Sequence, residues 1–299
     1  MQQIKTKEEM VKEYQKIDKD NPILACYTIC KNEIKHLDNW MFYHSEENGY
    51  KYRVILDTGS TDGTWEKLQE YALTDKNLII ERKIFDPWIF NVARNYNLDM
   101  VPEDVDFCLS PDMDEFFTLN TIDEIKRIIK SNSDVHNIST DRMDIYSKTP
   151  RVGYPNNIPS NKIHRRNLYT WDQPIYEHLI FKERFNIQEI EIYTDSAYII
   201  HNQDFRKKER PELYLKMLTE EVQKNPDNNW CRWYLLDYYF RNQDLENFLY
   251  HSLMFIKTHK DKNDKKFIEV YNFLKNWLNN PELSEVHKNE IILILDSLN

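Results

Sequence analysis

Glycine is scarce in this sequence, with four in 299 residues, where average usage of roughly 7 % would supply about twenty. None falls in "CYTICKNE" (26–33), which carries the first apolar run into its turn, so a glycine-rich phosphate-cradling signature is excluded there. Basic charge is in deficit as well. Lys and Arg number 40 against 50 Asp and Glu, a net charge of -10, and no overall basic field exists to hold nucleic acid. Local basic spots, Arg165-Arg166 and Arg206-Lys207-Lys208, read as solvated surface. Cys26, Cys30, Cys108 and Cys231 lack the paired spacing of a zinc site and lie mostly in apolar runs, as reduced core residues do. No stretch approaches the ~20 apolar residues of a membrane span, and "MQQIKTKEEMVKEYQKIDKD" has no apolar h-region. The expectation is a soluble, cytoplasmic protein with no transmembrane segment.

What is there alternates. "ILACYTI" is a β-rich run, and "EIKHLDNWMFYHSEENG" follows with Ile34, Leu37, Met41 and His44 at helical spacing, closed by Gly49. "YRVILD" is the next strand, and Trp65, Leu68 and Tyr71/Ala72 mark the next helix. "NLIIERK", a helix around "FNVARNYNLDM" and the strand "VDFCLS" continue the pattern. Strand and helix in strict alternation predict an α/β fold with a mainly parallel sheet of nucleotide-binding type.

Beyond Glu209 the texture becomes helical throughout. Trp233, Leu236 and Tyr239/Phe240 form one stripe, and Leu245, Phe248/Leu249 and Leu253 a second. The spacing resembles a tetratricopeptide-type hairpin, while a plain helical cap explains it equally well. The expected division is an N-terminal helical segment at 1–20, an α/β domain at 21–205 and an all-α domain at 206–299. The apolar stripes of the tail leave a homodimer through it open.

Two of the four glycines, Gly59 and Gly63, share one loop, "DTGSTDGT". Ligands of parallel α/β sheets sit at the carboxyl ends of the strands, so Asp57, closing "RVIL", is suited to accept from a base N–H or a ribose hydroxyl. The glycines allow the sharp turn, and Ser60, Thr61 and Asp62 are placed to cap the helix that Trp65 continues. A second loop, "SPDMDEFF", sets Asp112, Asp114 and Glu115 after "VDFCLS". Three carboxylates so close repel unless a cation or solvent compensates, and Asp-x-Asp at a strand end suits Mg²⁺ or Mn²⁺ together with substrate phosphates.

Taken in order, "ILACYTICKNEIKHLDNW", "VILDTGSTDGT", "FNVARNYNLDM" and "LSPDMDEFF" resemble the family 2 glycosyltransferases of the GT-A fold, over roughly 22–204. The resemblance implies a nucleotide-sugar donor, with a UDP-sugar the first choice, and a hydroxyl acceptor such as a glycan or protein. It also implies Mn²⁺ or Mg²⁺ held by the Asp-x-Asp, and inversion at the anomeric carbon. By position, the turn at Tyr27 and Thr28 together with Asp57 would hold the nucleoside. Arg94 would line the same pocket, Asp112 would contact ribose or metal, and Asp114 would ligate the metal directly. His201, ending the apolar strand "SAYIIH", would complete the metal shell.

Transfer needs a general base for the acceptor hydroxyl. "NKIHRRNLYTWDQPIYEHLIF" supplies Glu177 as first choice and Asp172 as second. His178 follows rather than precedes the glutamate, reversing the order commoner in relatives. Trp88, Trp171 and Tyr176 suit stacking on sugar or base, with core packing the default for aromatics. Two other readings are a sugar-phosphate nucleotidyltransferase, against which the glycine-free "CYTICKNE" speaks, and a non-catalytic interaction protein using the tail.

Overall fold

The apolar run at 24–30 folds as β1 (Leu24–Cys30), buried at six of seven positions, as befits a strand covered on both faces. In the computed structural model, which describes residues 17–146, 156–182, 188–203, 211–281 and 283–296, the alternation continues as read. After β1 come α1 (Ile34–Tyr43), β2 (Tyr52–Asp57), α2 (Thr64–Thr74), β3 (Leu78–Arg82), α3 (Phe90–Asp99) and β4 (Phe107–Leu109). These four strands pair parallel, so their carboxyl ends share one edge.

The chain then departs from strict alternation. It runs through β5 (Glu115–Phe117), α4 (Thr121–Ser131), β6 (Asn137–Tyr146), β7 (Asn156–Arg165), the ribbon β8 (Tyr169–Asp172) with β9 (His178–Phe181), and β10 (Glu191–Gln203). The eight-stranded sheet has the order β3-β2-β1-β4-β7-β6-β10-β5. β7 lies antiparallel to β4 and β6, and β5 antiparallel to β10. The sheet is mixed, its first half parallel. Leu24, Cys26 and Cys30 pack with Leu37 and Trp40 of α1 and Ile125 and Ile129 of α4. The alternate residues Ala25 and Tyr27 pack with Leu98 of α3 and Trp171, which is the two-residue period of a strand. All four cysteines are buried and unbridged.

The glycine loop is built as its composition suggests, with one correction. Gly59 and Gly63 stand at φ 102° and 95°, conformations that cost other residues. Gly63 itself is the N-cap of α2 and offers no side chain. The polar residues around it largely serve the preceding helix. Ser60 Oγ accepts from the Asn32 amide (2.8 Å), Thr64 Oγ1 from that of Glu33 (3.0 Å) and Asp62 Oδ2 from that of Ile34 (3.2 Å). Thr61 contributes its own amide, which donates to Asn32 Oδ1 at 2.8 Å. The glycine loop thereby satisfies free N–H groups at the start of α1, while Asp62 Oδ1 also accepts from Thr64 N–H at 3.1 Å.

Arg165-Arg166 likewise differs from the solvated pair expected. Arg165 is buried, with Nε donating to the Val135 carbonyl (2.7 Å), and Arg166 donates to the Val101 carbonyl (2.6 and 2.9 Å). Both tie strand ends to loops. Arg206-Lys207-Lys208 lies outside the described residues.

The chain forms two compact units, one within Met1–Asp172 and Glu177–Arg206 and one within Gln173–Tyr176 and Lys207–Asn299. The second comprises α5 (Pro211–Lys224), α6 (Asn229–Arg241), α7 (Leu245–Thr258), α8 (Lys265–Trp277) and α9 (Glu285–Asp296). Asn228, Asp244 and Asp264 cap α6, α7 and α8 through their side chains. Leu236, Phe248, Leu249, Leu253 and Leu274 make its core. The stripes fray at the hairpin, where Phe240 and Leu245 are exposed. No helix among the described residues is long and apolar enough to cross a membrane.

Candidate active site

The acidic loop begins where β4 stops. Ser110 N–H donates to the Lys162 carbonyl of β7 (3.0 Å), and Asp112 N–H donates to Glu115 Oε2 (3.0 Å), which folds the loop back on itself. Lys162 Nζ reaches Asp112 Oδ2 at 3.2 Å and pairs with Glu115. From α3, Arg94 spans two carboxylates, Nη2 on Asp112 Oδ1 at 2.6 Å and Nε on Glu177 Oε1 at 2.5 Å. Its guanidinium lies 4.6 Å from the centre of the Trp171 ring. Burial alone would raise the Asp112 carboxyl, yet Lys162 and Arg94 hold it well below the usual carboxylate range. Burial opposes charge on Arg94 and Lys162 too, and their acidic partners raise both above their ordinary values.

A second group forms where β10 runs between two strands. His201 is in register with Asp144 of β6 on one side and Glu115 of β5 on the other. Its Nδ1 lies 2.9 Å from Asp144 Oδ1 and its Nε2 3.7 Å from Asp114 Oδ2. Burial disfavours charge on this imidazole, but Asp114, then Glu115 and Asp144, raise it above its ordinary value. A carboxylate on one ring nitrogen with the other turned to a second donor is how metal-bound histidines are oriented. Among the described residues no three His, Cys, Asp or Glu side chains gather at metal distance. Asp114 and His201 supply two donors, which fits a small divalent cation that takes its remaining ligands from substrate phosphates and water. An imidazole beside a carboxylate favours Mn²⁺ over Mg²⁺.

The structure brings together Arg94, Asp112 and Glu177 in one network, and Asp114 with His201 in another. The remaining candidates sit apart. Asp57 shares the carboxyl edge but is fully buried, its Oδ1 accepting from Gly59 N–H (3.0 Å) and Ser60 N–H (3.1 Å). Tyr27 directs its hydroxyl into the core, at 2.9 Å from both His164 Nε2 and Trp171 Nε1. Thr28 is buried, with its hydroxyl on the Ile29 carbonyl at 3.3 Å. Asp172 ends β8 in register with His178, and Glu177 precedes β9. Trp171 packs in the core, whereas Tyr176 is exposed. Sequence reasoning missed Lys162, Glu115 as its partner, and Asp144. Lys162 stood in the quoted segment "NKIHRR", where the arginines drew the attention and the lysine faced the site.

A parallel sheet with an Asp-x-Asp loop at its carboxyl edge continues into a mixed extension whose strand β10 carries a histidine, and the comparisons with solved structures bear on this fold. The chain has the GT-A fold. It is similar to S. aureus TarS 1–349 in complex with UDP-GlcNAc, with TM-score 0.56 and 11 % identity over 92 % of this chain and 91 % of that one. Against the longer S. aureus TarS structure the values are 0.54 and 12 % over 91 % of this chain and 54 % of that one, so the chain spans about half its length. GalNAc-T7 with UDP, GalNAc and Mn²⁺ matches with TM-score 0.50 and 13 % identity over 69 % of this chain and 48 % of that one. No protein-family model matches the chain, and no curated protein matches it in sequence.

Proposed function

We propose that the chain is a metal-dependent, inverting glycosyltransferase that moves a sugar from a UDP-sugar to a hydroxyl of a glycan or protein. The observation that carries this reading is the facing of Asp114 and His201, 3.7 Å apart, beside the Arg94–Asp112–Lys162 network at the strand ends of a GT-A sheet. Asp114 and His201 Nε2 would hold Mn²⁺ or Mg²⁺. When bound there, such a cation would supply positive charge against that developing on a leaving nucleoside diphosphate.

The chain's own groups divide the remaining tasks. Asp144 fixes the His201 ring so that Nε2 points at Asp114. Arg94 and Lys162 keep Asp112 ionised and aimed for a donor contact. Asp57 shapes the glycine loop at the nucleoside end, while Tyr27 and Thr28, buried in the adjoining strand, support it from beneath and do not touch the donor. Glu177, held through Oε1 by Arg94, takes the acceptor's proton as the acceptor oxygen bonds the anomeric carbon and the carbon–phosphate oxygen bond breaks. Asp172 is the second choice for that role.

The reading is tested by unfolding midpoints with UDP, with and without Mn²⁺, and by UDP release from a panel of UDP-sugars. A midpoint that rises only with both present, together with metal-dependent UDP release, is expected. Glu177→Gln should bind donor normally and turn over roughly 10²–10⁴-fold slower. Absence of any UDP or UDP-sugar effect overturns the assignment. Normal turnover by Glu177→Gln with collapse in Asp172→Asn moves the base to Asp172.

A further inference from the structure

The ribbon β8–β9, the first residue of β6 and the start of β10 border a cavity of about 410 Å³ within the sheet-bearing unit, and small-ligand sites have volumes of roughly 300–1,000 Å³. Tyr169 and Phe181 meet edge to face in its wall, with ring centroids 5.5 Å apart, and Ile180 is 37 % exposed at its rim. Asn137, Asn161, Glu189 and Glu191 supply its polar groups. The Tyr169 hydroxyl donates to Glu189. Asn137 is 1 % exposed, and its side-chain oxygen has no hydrogen-bond partner among the described residues, a rare condition for a buried polar atom. The cavity thus combines carboxylate and amide oxygens with an aromatic and aliphatic wall. A sugar answers both, its hydroxyls donating to the oxygens and its C–H faces lying against the rings.

Within the same unit the cavity adjoins the candidate active site. Leu179, which lines it, is in register with Trp171, whose ring lies against the Arg94 guanidinium. Arg94 in turn holds Glu177 and Asp112. Phe181 stands four residues beyond Glu177, a span of roughly 13 Å at about 3.3 Å per strand residue. We propose that this cavity is a saccharide subsite, holding a sugar unit of the substrate that receives the new sugar, at a distance from the hydroxyl that reacts. The substrate class is then a glycan chain of several units rather than a protein side chain. The proposal rests on the transferase reading, and it narrows the acceptor within that reading. An extended chain seated in the cavity runs beside β9 towards Glu177, so the reacting hydroxyl is delivered by binding energy gathered away from the chemistry.

Calorimetry of the full chain with UDP and Mn²⁺ present, titrated with linear tetrasaccharides of glucose, galactose, mannose and N-acetylglucosamine, tests this. At least one tetrasaccharide should bind in the millimolar range or tighter. Glu191→Ala and Ile180→Arg change exposed positions, and both should keep the wild-type unfolding midpoint and Mn²⁺-dependent UDP binding within about twofold. Each should weaken that tetrasaccharide about tenfold or more. With the tetrasaccharide as acceptor, KM should rise about tenfold with kcat within about twofold, the signature of lost uniform binding, while UDP release to water stays unchanged. Tetrasaccharide binding that neither variant weakens overturns the proposal and leaves the transferase reading standing. So does the absence of any tetrasaccharide binding in a chain that releases UDP from a UDP-sugar, or spermidine bound in the cavity in place of a saccharide. A wild type that turns over no UDP-sugar overturns the transferase reading and the proposal with it.

Discussion

Replacing Lys162 with methionine keeps the aliphatic stem but takes the ammonium from between Asp112 and Glu115. Glu115 is 2 % exposed, and a buried charge left without its partner costs about 3 kcal/mol or more. Lys162→Met should therefore lower the denaturant midpoint clearly, and Glu115→Gln in the same chain should recover part of the loss. A midpoint equal to wild type would show that the Lys162–Glu115 pair contributes nothing to stability. Asp114→Ala should behave in the opposite way under the proposal that Asp114 ligates the cation. The metal-free midpoint should hold while Mn²⁺-dependent UDP binding disappears. Calorimetry with UDP at fixed Mn²⁺ decides this. The sequence marked Asp112 and Asp114 because a strand end followed by Asp-x-Asp is a local pattern. It hid Lys162, fifty residues on, because only the antiparallel pairing of β7 with β4 brings that strand to the acidic loop.

At the scale of elements, local periodicity told most where neighbours in sequence are neighbours in space. β1 through β4 and their helices were legible for that reason. The strand that became β10 was legible from its apolar run, but its place was not, since lying between β6 and β5 depends on pairings across many tens of residues. That register alone aligns His201 with Asp144 and Glu115. The glycine loop shows the same limit in miniature, for Ser60, Thr61 and Asp62 read as caps of their own helix, whereas Ser60 and Asp62, joined by Thr64, accept from the backbone that opens α1. Asp62 consequently matters twice. Asp62→Ala should destabilise by roughly 1–2 kcal/mol, the range for a lost cap, and Thr61→Ala by only a few tenths, since the Thr61 link to Asn32 runs chiefly through its backbone amide. Equal midpoints for the two variants would disprove the shared cap. The Asp62 carboxyl is lowered, with the Thr64 and Ile34 hydrogen bonds outweighing burial, so this contribution is present above the ordinary carboxylate range and fades as pH falls through it.

For the whole molecule, buried imidazoles govern the response to acid. Burial lowers His164, His136 and His251 to about 4 and His44 to about 3. The unfolded chain takes up these protons near pH 6.5 and the folded chain does not, so stability falls as pH drops from about 6.5 towards 4. His201 is raised and opposes this with a single group. Denaturant midpoints at pH 7.5, 6 and 5 should decline steadily, and a flat profile would mean that the four rings are protonated when folded. The excursion at Gln173–Tyr176 has a consequence for modularity. The helical unit is sewn from two separate stretches of chain, so it is not an appendix that a single cut can detach. A gene ending near codon 206 would keep Gln173–Tyr176 and discard the helices it belongs with.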